Sequence, residues 1–385
     1  MRKKLFRGFL IILFAIPLIM WISWLLTPNT KLVVAIVDKT VLTPKGQEHI
    51  SLNWVLNNNK YTKTSKEGYD VSQDYFGFFP KEDEKFKLKG LERFSFSKLK
   101  QLSHDADLAY FTDTYGIYNN EWFNKGDINE RSGILYGGLS DKDIALLNLM
   151  KDEGKLIITE FNTIGSPTAR ENRIKFEELF KLRWSGWTAR YFNNLDIRIN
   201  KEIPRWLIRN YKNAHKGEWP FKKAGIAFVN DNDEVVILEQ DEHLQRPMPY
   251  IVTPAKYQQE FSVPDSIKYP FWFDVMVPDT KVNEIVSSFH LDLKEKGKIE
   301  LKKNSIPTSF PAVTRHVEED YKFYYFSGDF SDNPVPLLSS YFKWIGVFKN
   351  FFYDQRNIME RGSFFWNYYK PMLGRILEDY QENRS

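Results

Sequence analysis

The chain has 385 residues and a formal net charge of +4; 27% of its residues are charged and 42% are hydrophobic. This composition is typical of a folded globular protein and excludes an intrinsically disordered chain. Cysteine is absent, which excludes disulfides, thiolate metal sites and cysteine nucleophiles. The modest charge, without a dense Lys/Arg stripe, argues against nucleic acid as a partner.

An uncharged apolar run extends from Phe9 to Leu26, directly after basic residues at positions 2, 3, 4 and 7. A run of this length is sufficient for a helix that crosses a membrane, and the basic residues before it favour a cytoplasmic N-terminus. We therefore predict a transmembrane anchor in residues 1–30, a single-pass cell-membrane localisation, and an extracytoplasmic location for the bulk of the chain. A cleaved signal peptide is the alternative, but the run lacks a small-residue cleavage site.

Buried strands alternate with helices in the first half of the chain. Continuous apolar runs with polar ends predict strands over Lys31 to Thr40, Asp107 to Tyr115 and Lys155 to Phe161, with a weaker strand in Tyr69 to Phe79. Helical spacing predicts helices over Glu48 to Leu56, Phe96 to Leu102, Ser140 to Gly154 and Thr168 to Leu182. The alternation predicts an α/β fold with a doubly wound, mostly parallel sheet.

The second half is richer in β-structure. The pattern predicts a hairpin over Gly225 to Leu238 and strands in Phe271 to Val277, Ser287 to Leu301 with a turn at Gly297, and Tyr321 to Phe326. Aromatic helices follow from Pro334 to Tyr380, and either packing on the domain or contact with a membrane surface would explain their rings. We predict an α/β domain over 31–250, a β-rich extension over 251–333 and C-terminal helices over 334–385.

Three predicted strands end in an acidic residue, Asp38, Asp113 and Glu160, and the last leads through a sharp turn into the helix that begins at Thr168. This arrangement, from Lys31 to about Tyr191, resembles the class I glutamine amidotransferase-like fold, a flavodoxin-like α/β fold. The resemblance implies a nucleophile in the turn after the last strand and a role in cell-envelope or sugar-related processes. Because the chain has no cysteine, the resemblance implies a member that does not hydrolyse glutamine.

Ligands of open α/β sheets bind at the carboxyl ends of the strands. We therefore predict Asp38, Asp113 and Glu160 as general acids and bases. We also predict a set of ligand-binding residues at the same edge: Lys39, Thr40, Thr114, Tyr115, Asn162, Ser166 and Arg170. Ser166 is a helix cap or, with a histidine nearby, a nucleophile. The polar loop from Asp329 to Asp332 either closes over this cleft or is solvated. We predict no cofactor and no metal site, since the His/Asp clusters lack diagnostic spacing.

These observations leave three functions open. The first is a membrane-anchored extracytoplasmic protein that binds an envelope ligand or partner, such as a glycan. The second is an envelope hydrolase, a glycosidase or an esterase, that uses the strand-end carboxylates. The third is a structural scaffold of a membrane complex, so the sequence does not decide whether the protein is an enzyme.

Overall fold

The computed structural model describes residues 15–123 and 132–383. The helices are α1 (residues 15–26), α2 (Ile50–Asn58), α3 (Phe96–Asp105), α4 (Asn119–Trp122), α5 (Asp141–Asp152), α6 (Arg170–Phe180), α7 (Arg205–Ala214), α8 (Ala255–Phe261), α9 (Glu295–Lys303), α10 (Gly362–Phe364) and α11 (Lys370–Glu382). A π-helical segment, Phe365–Tyr369, joins α10 to α11, and 3-10 segments span Leu91–Arg93, Leu337–Tyr341 and Ile345–Phe351.

The strands are β1 (Thr30–Lys31), β2 (Val34–Asp38), β3 (Tyr61–Thr62), β4 (Phe76–Pro80), β5 (Phe86–Leu88), β6 (Leu108–Asp113), β7 (Ile117–Tyr118), β8 (Ile134–Tyr136), β9 (Leu156–Glu160), β10 (Leu182–Phe192), β11 (Gly225–Asn230), β12 (Val235–Glu239), β13 (Tyr250–Val252), β14 (Ser266–Lys268), β15 (Trp272–Pro278), β16 (Glu284–His290), β17 (Ser309–Val317) and β18 (Lys322–Phe326). Ten of them form one sheet in the order β14-β13-β16-β17-β18-β9-β6-β2-β4-β5.

Five adjacent strands of this sheet, β4-β2-β6-β9-β18, are parallel to one another. Numbered along the chain, their order is 2-1-3-4-5, which is the order of flavodoxin-like doubly wound sheets. The remaining strands of the sheet pair antiparallel with their neighbours. The sheet is therefore mixed, and the carboxyl ends of the five parallel strands share one edge.

The central strands are buried on both faces because helices cover each side. Alternate residues of β2, β6 and β9 face α3, α5 and α6, where Leu99, Leu147 and Phe176 fill the core. The intervening residues face α2 and α11, where Trp54 and Leu373 are fully buried. This layering explains the continuous apolar runs of these strands in the sequence.

A second, antiparallel sheet has the order β12-β11-β10-β15. Its longest strand, β10, changes pairing register between Trp184 and Thr188, where it pairs with β15. One face of this sheet packs on α7 through Leu207 and Ile237. The end of the sheet near Trp184 forms one wall of the cleft described below.

The predicted transmembrane helix, Phe9 to Leu26, requires a correction. Residues 9–14 lie outside the described residues, and none of the helices described in 15–123 and 132–383 combines the length and apolarity needed to span a membrane. In α1, Met20 is buried and the Trp24 indole donates a hydrogen bond to the Asn57 carbonyl at 3.0 Å, so part of its apolar surface packs on the domain. The transmembrane helix in the predicted fold class is therefore wrong. The single-pass membrane localisation, the extracytoplasmic placement and the three membrane- or envelope-based functions that depended on this helix are wrong with it.

Two further predictions differ from the structure. The sheet is mixed rather than mostly parallel, because β13, β14, β16 and β17 extend the central sheet from β18. The predicted strand over Ser287 to Leu301 is β16 followed by α9, with Gly297 inside that helix. A Cβ at Gly297 would lie 2.3 Å from the His243 carbonyl oxygen. This glycine therefore permits a close backbone contact and does not mark a turn.

Candidate functional site

A cleft of about 670 Å³ opens at the carboxyl edge of the parallel strands. Seven acidic residues of the described chain line it: Glu48, Asp113, Glu121, Asp231, Asp233, Asp329 and Asp332. Aromatic side chains form much of the remaining wall: Tyr115, Tyr118, Phe161, Trp184, Trp206, Phe271 and Trp272. Among the residues that the structure describes, no lysine, arginine or histidine is part of the lining.

A larger groove, about 1050 Å³, lies away from the strand ends between α7, β12 and α9, and basic side chains also line it.

Three of these carboxylates, on Glu48, Asp329 and Asp332, form a cluster at one end of the cleft. Their ligand oxygens all lie within 4.8 Å of one another. Glu48 belongs to the loop between β2 and α2, whereas Asp329 and Asp332 belong to the loop after β18. Because β2 and β18 are parallel strands of one sheet, both loops emerge at the same edge. We call these three residues the carboxylate cluster.

The three carboxylates differ in their partners. Both terminal nitrogens of Arg361 donate to Asp332 at 3.1 Å. Asp329 is only 6% exposed, yet within residues 15–123 and 132–383 its carboxylate accepts no hydrogen bond and forms no ion pair. Buried carboxylates in proteins are normally paired or bind a metal ion. The Asp329 carboxylate therefore has no partner among the described residues and lines the cleft, where a ligand can reach it.

Burial and mutual repulsion raise the pKa values in the cluster. Burial, followed by the charges of Asp332 and Asp329, raises the pKa of Glu48 well above its usual range. Burial and Asp332 likewise raise the pKa of Asp329, although Arg361 opposes this rise. Burial raises the pKa of Asp332, again against Arg361. Burial is the first cause for each of the three groups, so the ionised form of these carboxyls is disfavoured, and a bound cation would favour it.

Asp113, at the end of β6, also lines the cleft. The Tyr115 amide donates to its carboxylate at 2.5 Å. Burial raises the pKa of Asp113 to about 7; the Tyr115 hydrogen bond opposes the rise, and the charge of Asp38 adds to it. Among the three predicted catalytic acids, Asp113 is the one that reaches the cleft.

Asp38 and Glu160, the other two predicted catalytic acids, are fully buried and do not line the cleft. The Asp38 carboxylate accepts the Glu48 amide at 2.9 Å and contacts the His49 ring nitrogen Nδ1 at 2.7 Å. Glu160 accepts the Phe330 and Ser331 amides at 3.2 and 3.0 Å. Each of these strand-end acids therefore holds a loop that carries part of the carboxylate cluster.

The predicted ligand-binding residues divide in a similar way. Tyr115, Asn162 and Ser166 line the cleft together with Asp113. The other four do not: Lys39, Thr40, Thr114 and Arg170.

Lys39 is fully buried and bonded to Asp143 at 2.6 Å and to Glu92. Burial alone would lower the pKa of Lys39, but Asp143 and Glu92 raise it above the usual lysine range. The Thr114 hydroxyl donates to the carbonyls of Asn162 and Thr163. These side chains support the strand ends from within the fold.

Sequence reasoning missed the carboxylate cluster. The apolar spacing of the sequence places Glu48 in a helix, which in the structure begins at Ile50. The polar residues of the loop from Asp329 to Asp332 fit either closure over the cleft or a solvated loop. The available signal is the position of this loop, since a loop that directly follows a buried parallel strand lies, with its acids, at the same edge as the other strand ends.

No protein-family model matches the chain, and no curated protein matches it either. Among solved structures, the chain is similar to a ThuA-like protein from Parabacteroides merdae, with 10% identity and a TM-score of 0.35, over 78% of this chain and 79% of that one. A ThuA-like protein from Bacteroides uniformis gives 10% identity and a TM-score of 0.33, with coverage of 83% and 92%. A Salmonella typhimurium protein described as cytoplasmic has 9% identity and a TM-score of 0.36, over 91% of this chain and 99% of that one. Likenesses at this level do not define an activity for this chain.

Proposed function

We propose that the protein binds a divalent metal ion through Glu48, Asp329 and Asp332, and that the ion helps to hold a small molecule in the cleft. The observation that carries this proposal is Asp329, which is 6% exposed and whose carboxylate has no partner among the described residues, beside two further carboxylates within 4.8 Å. Carboxylate oxygens are hard ligands, which suit Ca²⁺, Mg²⁺ or Mn²⁺. When all three acids are ionised, Arg361 compensates one of their charges, and a divalent ion would neutralise the remaining two.

The rest of the cleft supports a small-molecule ligand beside the ion. Three carboxylates leave further coordination positions of Ca²⁺ or Mg²⁺ open to water or to ligand oxygens. Phe161 and Trp272 have near-parallel rings with centroids 6.4 Å apart, and Trp184 and Trp206 line the same cleft. Aromatic faces of this kind bury the apolar or flat part of a ligand. The acidic lining disfavours phosphate and other anions, since their charge would be repelled unless a metal ion were bound.

Metal binding can be measured without knowledge of the small molecule. We expect Ca²⁺, Mg²⁺ or Mn²⁺ to bind with a dissociation constant between about 10⁻⁶ and 10⁻³ M. Isothermal titration calorimetry measures this constant. Terbium(III), an analogue of Ca²⁺, should luminesce on excitation of the cleft tryptophans when it is bound. Asp329→Asn should weaken binding about 10- to 100-fold, because it removes a buried anionic ligand.

Asp231→Asn is the matched control for this experiment. Asp231 lines the same cleft but pairs with Arg173 at 2.9 Å, outside the carboxylate cluster. Its loss should leave metal affinity within about twofold of the unmodified protein, as expected for an exposed ion pair. Equal weakening by both variants, or no metal binding at millimolar concentration, would overturn the proposal.

We further propose that the α/β core is a glutamine amidotransferase-like domain without glutamine hydrolysis. The strand order 2-1-3-4-5 and the turn from Asn162 to Pro167 between β9 and α6 support this assignment. Because the sequence has no cysteine, the chain cannot supply the thiolate that the family uses. The expected outcome is the absence of glutamate release from glutamine, with or without Ca²⁺ or Mg²⁺. Glutamate release that disappears in Asp113→Asn would contradict it.

A further inference from the structure

The two loops that form the carboxylate cluster meet at one buried side chain, Ser331. Its hydroxyl oxygen lies 2.8 Å from the Glu160 carboxylate and 3.0 Å from the Glu48 carbonyl oxygen. Its backbone amide donates to Glu160 at 3.0 Å, and its carbonyl accepts the Ser51 amide at 2.8 Å. Ser331 therefore connects the loop of Asp329 and Asp332 both to the end of β9 and to the loop of Glu48.

We propose that Ser331 and Glu160 are positioning residues that fix the spacing of the carboxylate cluster and thereby determine its metal affinity and its choice between Ca²⁺ and Mg²⁺. This inference rests on the metal-binding function proposed above. Neither residue belongs to the cluster itself, and both are fully buried. Their contacts act on the two loops, so they affect the metal through the positions of the ligands.

Electrostatics explains why the cluster needs such a connection. Ser331 and Glu48 are 283 residues apart in the sequence, so no short covalent path holds the two loops together. Whenever more than one of these carboxylates is ionised without a bound cation, their repulsion favours separation of the loops. The hydrogen bonds of Ser331 oppose that separation in the dry interior, where hydrogen bonds are strong and their loss is costly.

Spacing also affects the choice of metal ion. Mg²⁺ requires short bonds of about 2.0–2.1 Å in near-octahedral geometry, whereas Ca²⁺ accepts bonds of about 2.3–2.6 Å and variable geometry. A cluster whose spacing is no longer fixed should lose affinity for both ions. We expect the ratio of the two affinities to change as well, since the smaller ion tolerates displacement of its ligands less well.

The decisive variant is Ser331→Ala in the full-length protein, with Ser287→Ala as its matched control. Ser287 is also buried, and its hydroxyl bonds the Tyr368 hydroxyl at 2.5 Å, away from the cluster. Ser331→Ala should weaken Ca²⁺ binding about 10-fold and shift the Ca²⁺/Mg²⁺ ratio, because the hydrogen bonds that orient metal ligands have effects of this size. Ser287→Ala should lower the melting temperature about as much as Ser331→Ala does, because each variant loses a buried hydroxyl. It should leave the affinities for Ca²⁺ and Mg²⁺ unchanged.

Glu160 provides an independent pair of variants in case Ser331→Ala does not fold. Glu160→Gln retains an oxygen that accepts the loop amides and should keep Ca²⁺ affinity within about threefold, whereas Glu160→Met, which has no such acceptor, should lose about 10-fold. If the unmodified protein binds neither ion, the proposed function fails and this inference fails with it. If it binds them and Ser331→Ala or Glu160→Met binds them as tightly as Ser287→Ala does, only the positioning role is overturned.

Discussion

The acids at the carboxyl edge of the sheet form two groups with different surroundings. Asp38 and Glu160 end buried strands, and backbone amides and side-chain donors surround their oxygens. Glu48, Asp329 and Asp332 lie on the loops that those two acids hold, and Asp329 has no donor among the described residues. A carboxylate whose hydrogen bonds are satisfied stabilises the fold, whereas an unsatisfied one in a cleft remains available for a ligand. The difference suggests that partners, more than position, distinguish a structural acid from a binding acid.

The largest expected effect follows from removal of an acid of the first group. Asp38→Ala should lower the free energy of unfolding by about 3 kcal/mol, because the Glu48 amide and the His49 ring lose a buried acceptor. Urea denaturation in the presence of a metal chelator measures this change. Asp329→Asn, from the second group, should instead be neutral or stabilising by about 1 kcal/mol, since it relieves repulsion. Equal losses in both variants would remove the distinction between the groups.

The pH dependence of stability gives a second, intermediate effect. Burial raises the pKa of Asp113 to about 7 and that of Glu160 to about 8. Between its unfolded and folded pKa values, such a carboxyl binds more protons in the folded protein, so stability falls as pH rises. Each group contributes at most about 1.4 kcal/mol per pH unit within that window.

Thermal unfolding of the metal-free protein between about pH 5 and pH 8 tests this sign. The melting temperature should fall as the pH rises, and saturating Ca²⁺ should reduce the slope, because the ion stabilises the ionised carboxylate cluster. Asp113→Asn should also reduce the slope, since the amide does not titrate. A melting temperature that rises with pH in the absence of metal would show that the buried acids are compensated in the folded protein.

The strand-end acids could be predicted from the sequence, whereas the grouping of Glu48 with Asp329 and Asp332 could not. Asp38, Asp113 and Glu160 each follow a continuous apolar run, and that local pattern places them at the ends of buried strands. The pattern does not show which donors surround a carboxylate, because the donors come from other segments. Glu160, for example, meets Ser331 at a separation of 171 residues.

Local sequence patterns also could not predict which strands join the central sheet. β18 pairs in parallel with β9 on one side and antiparallel with β17 on the other, so the central sheet continues into the second half of the chain. Apolar periodicity indicates a strand but not its neighbours. For the same reason, the apolar run that ends at Leu26 indicated a helix but not its contacts with Asn57 and Tyr341.

The smallest expected effect concerns two tyrosines, Tyr110 and Tyr369, whose hydroxyls continue the hydrogen bonds of Glu160. Tyr110 donates to Glu160, and the Tyr369 hydroxyl, in the π-helical segment before α11, lies 2.8 Å from the Tyr110 hydroxyl. Tyr369→Phe removes one buried hydrogen bond and should cost about 1 kcal/mol in urea denaturation. Ca²⁺ affinity should stay unchanged, because Tyr110 still donates to Glu160 and Glu160 still holds the loop amides. A loss of affinity as large as that expected for Ser331→Ala would show that the C-terminal helix, and not only the strand end, positions the carboxylate cluster.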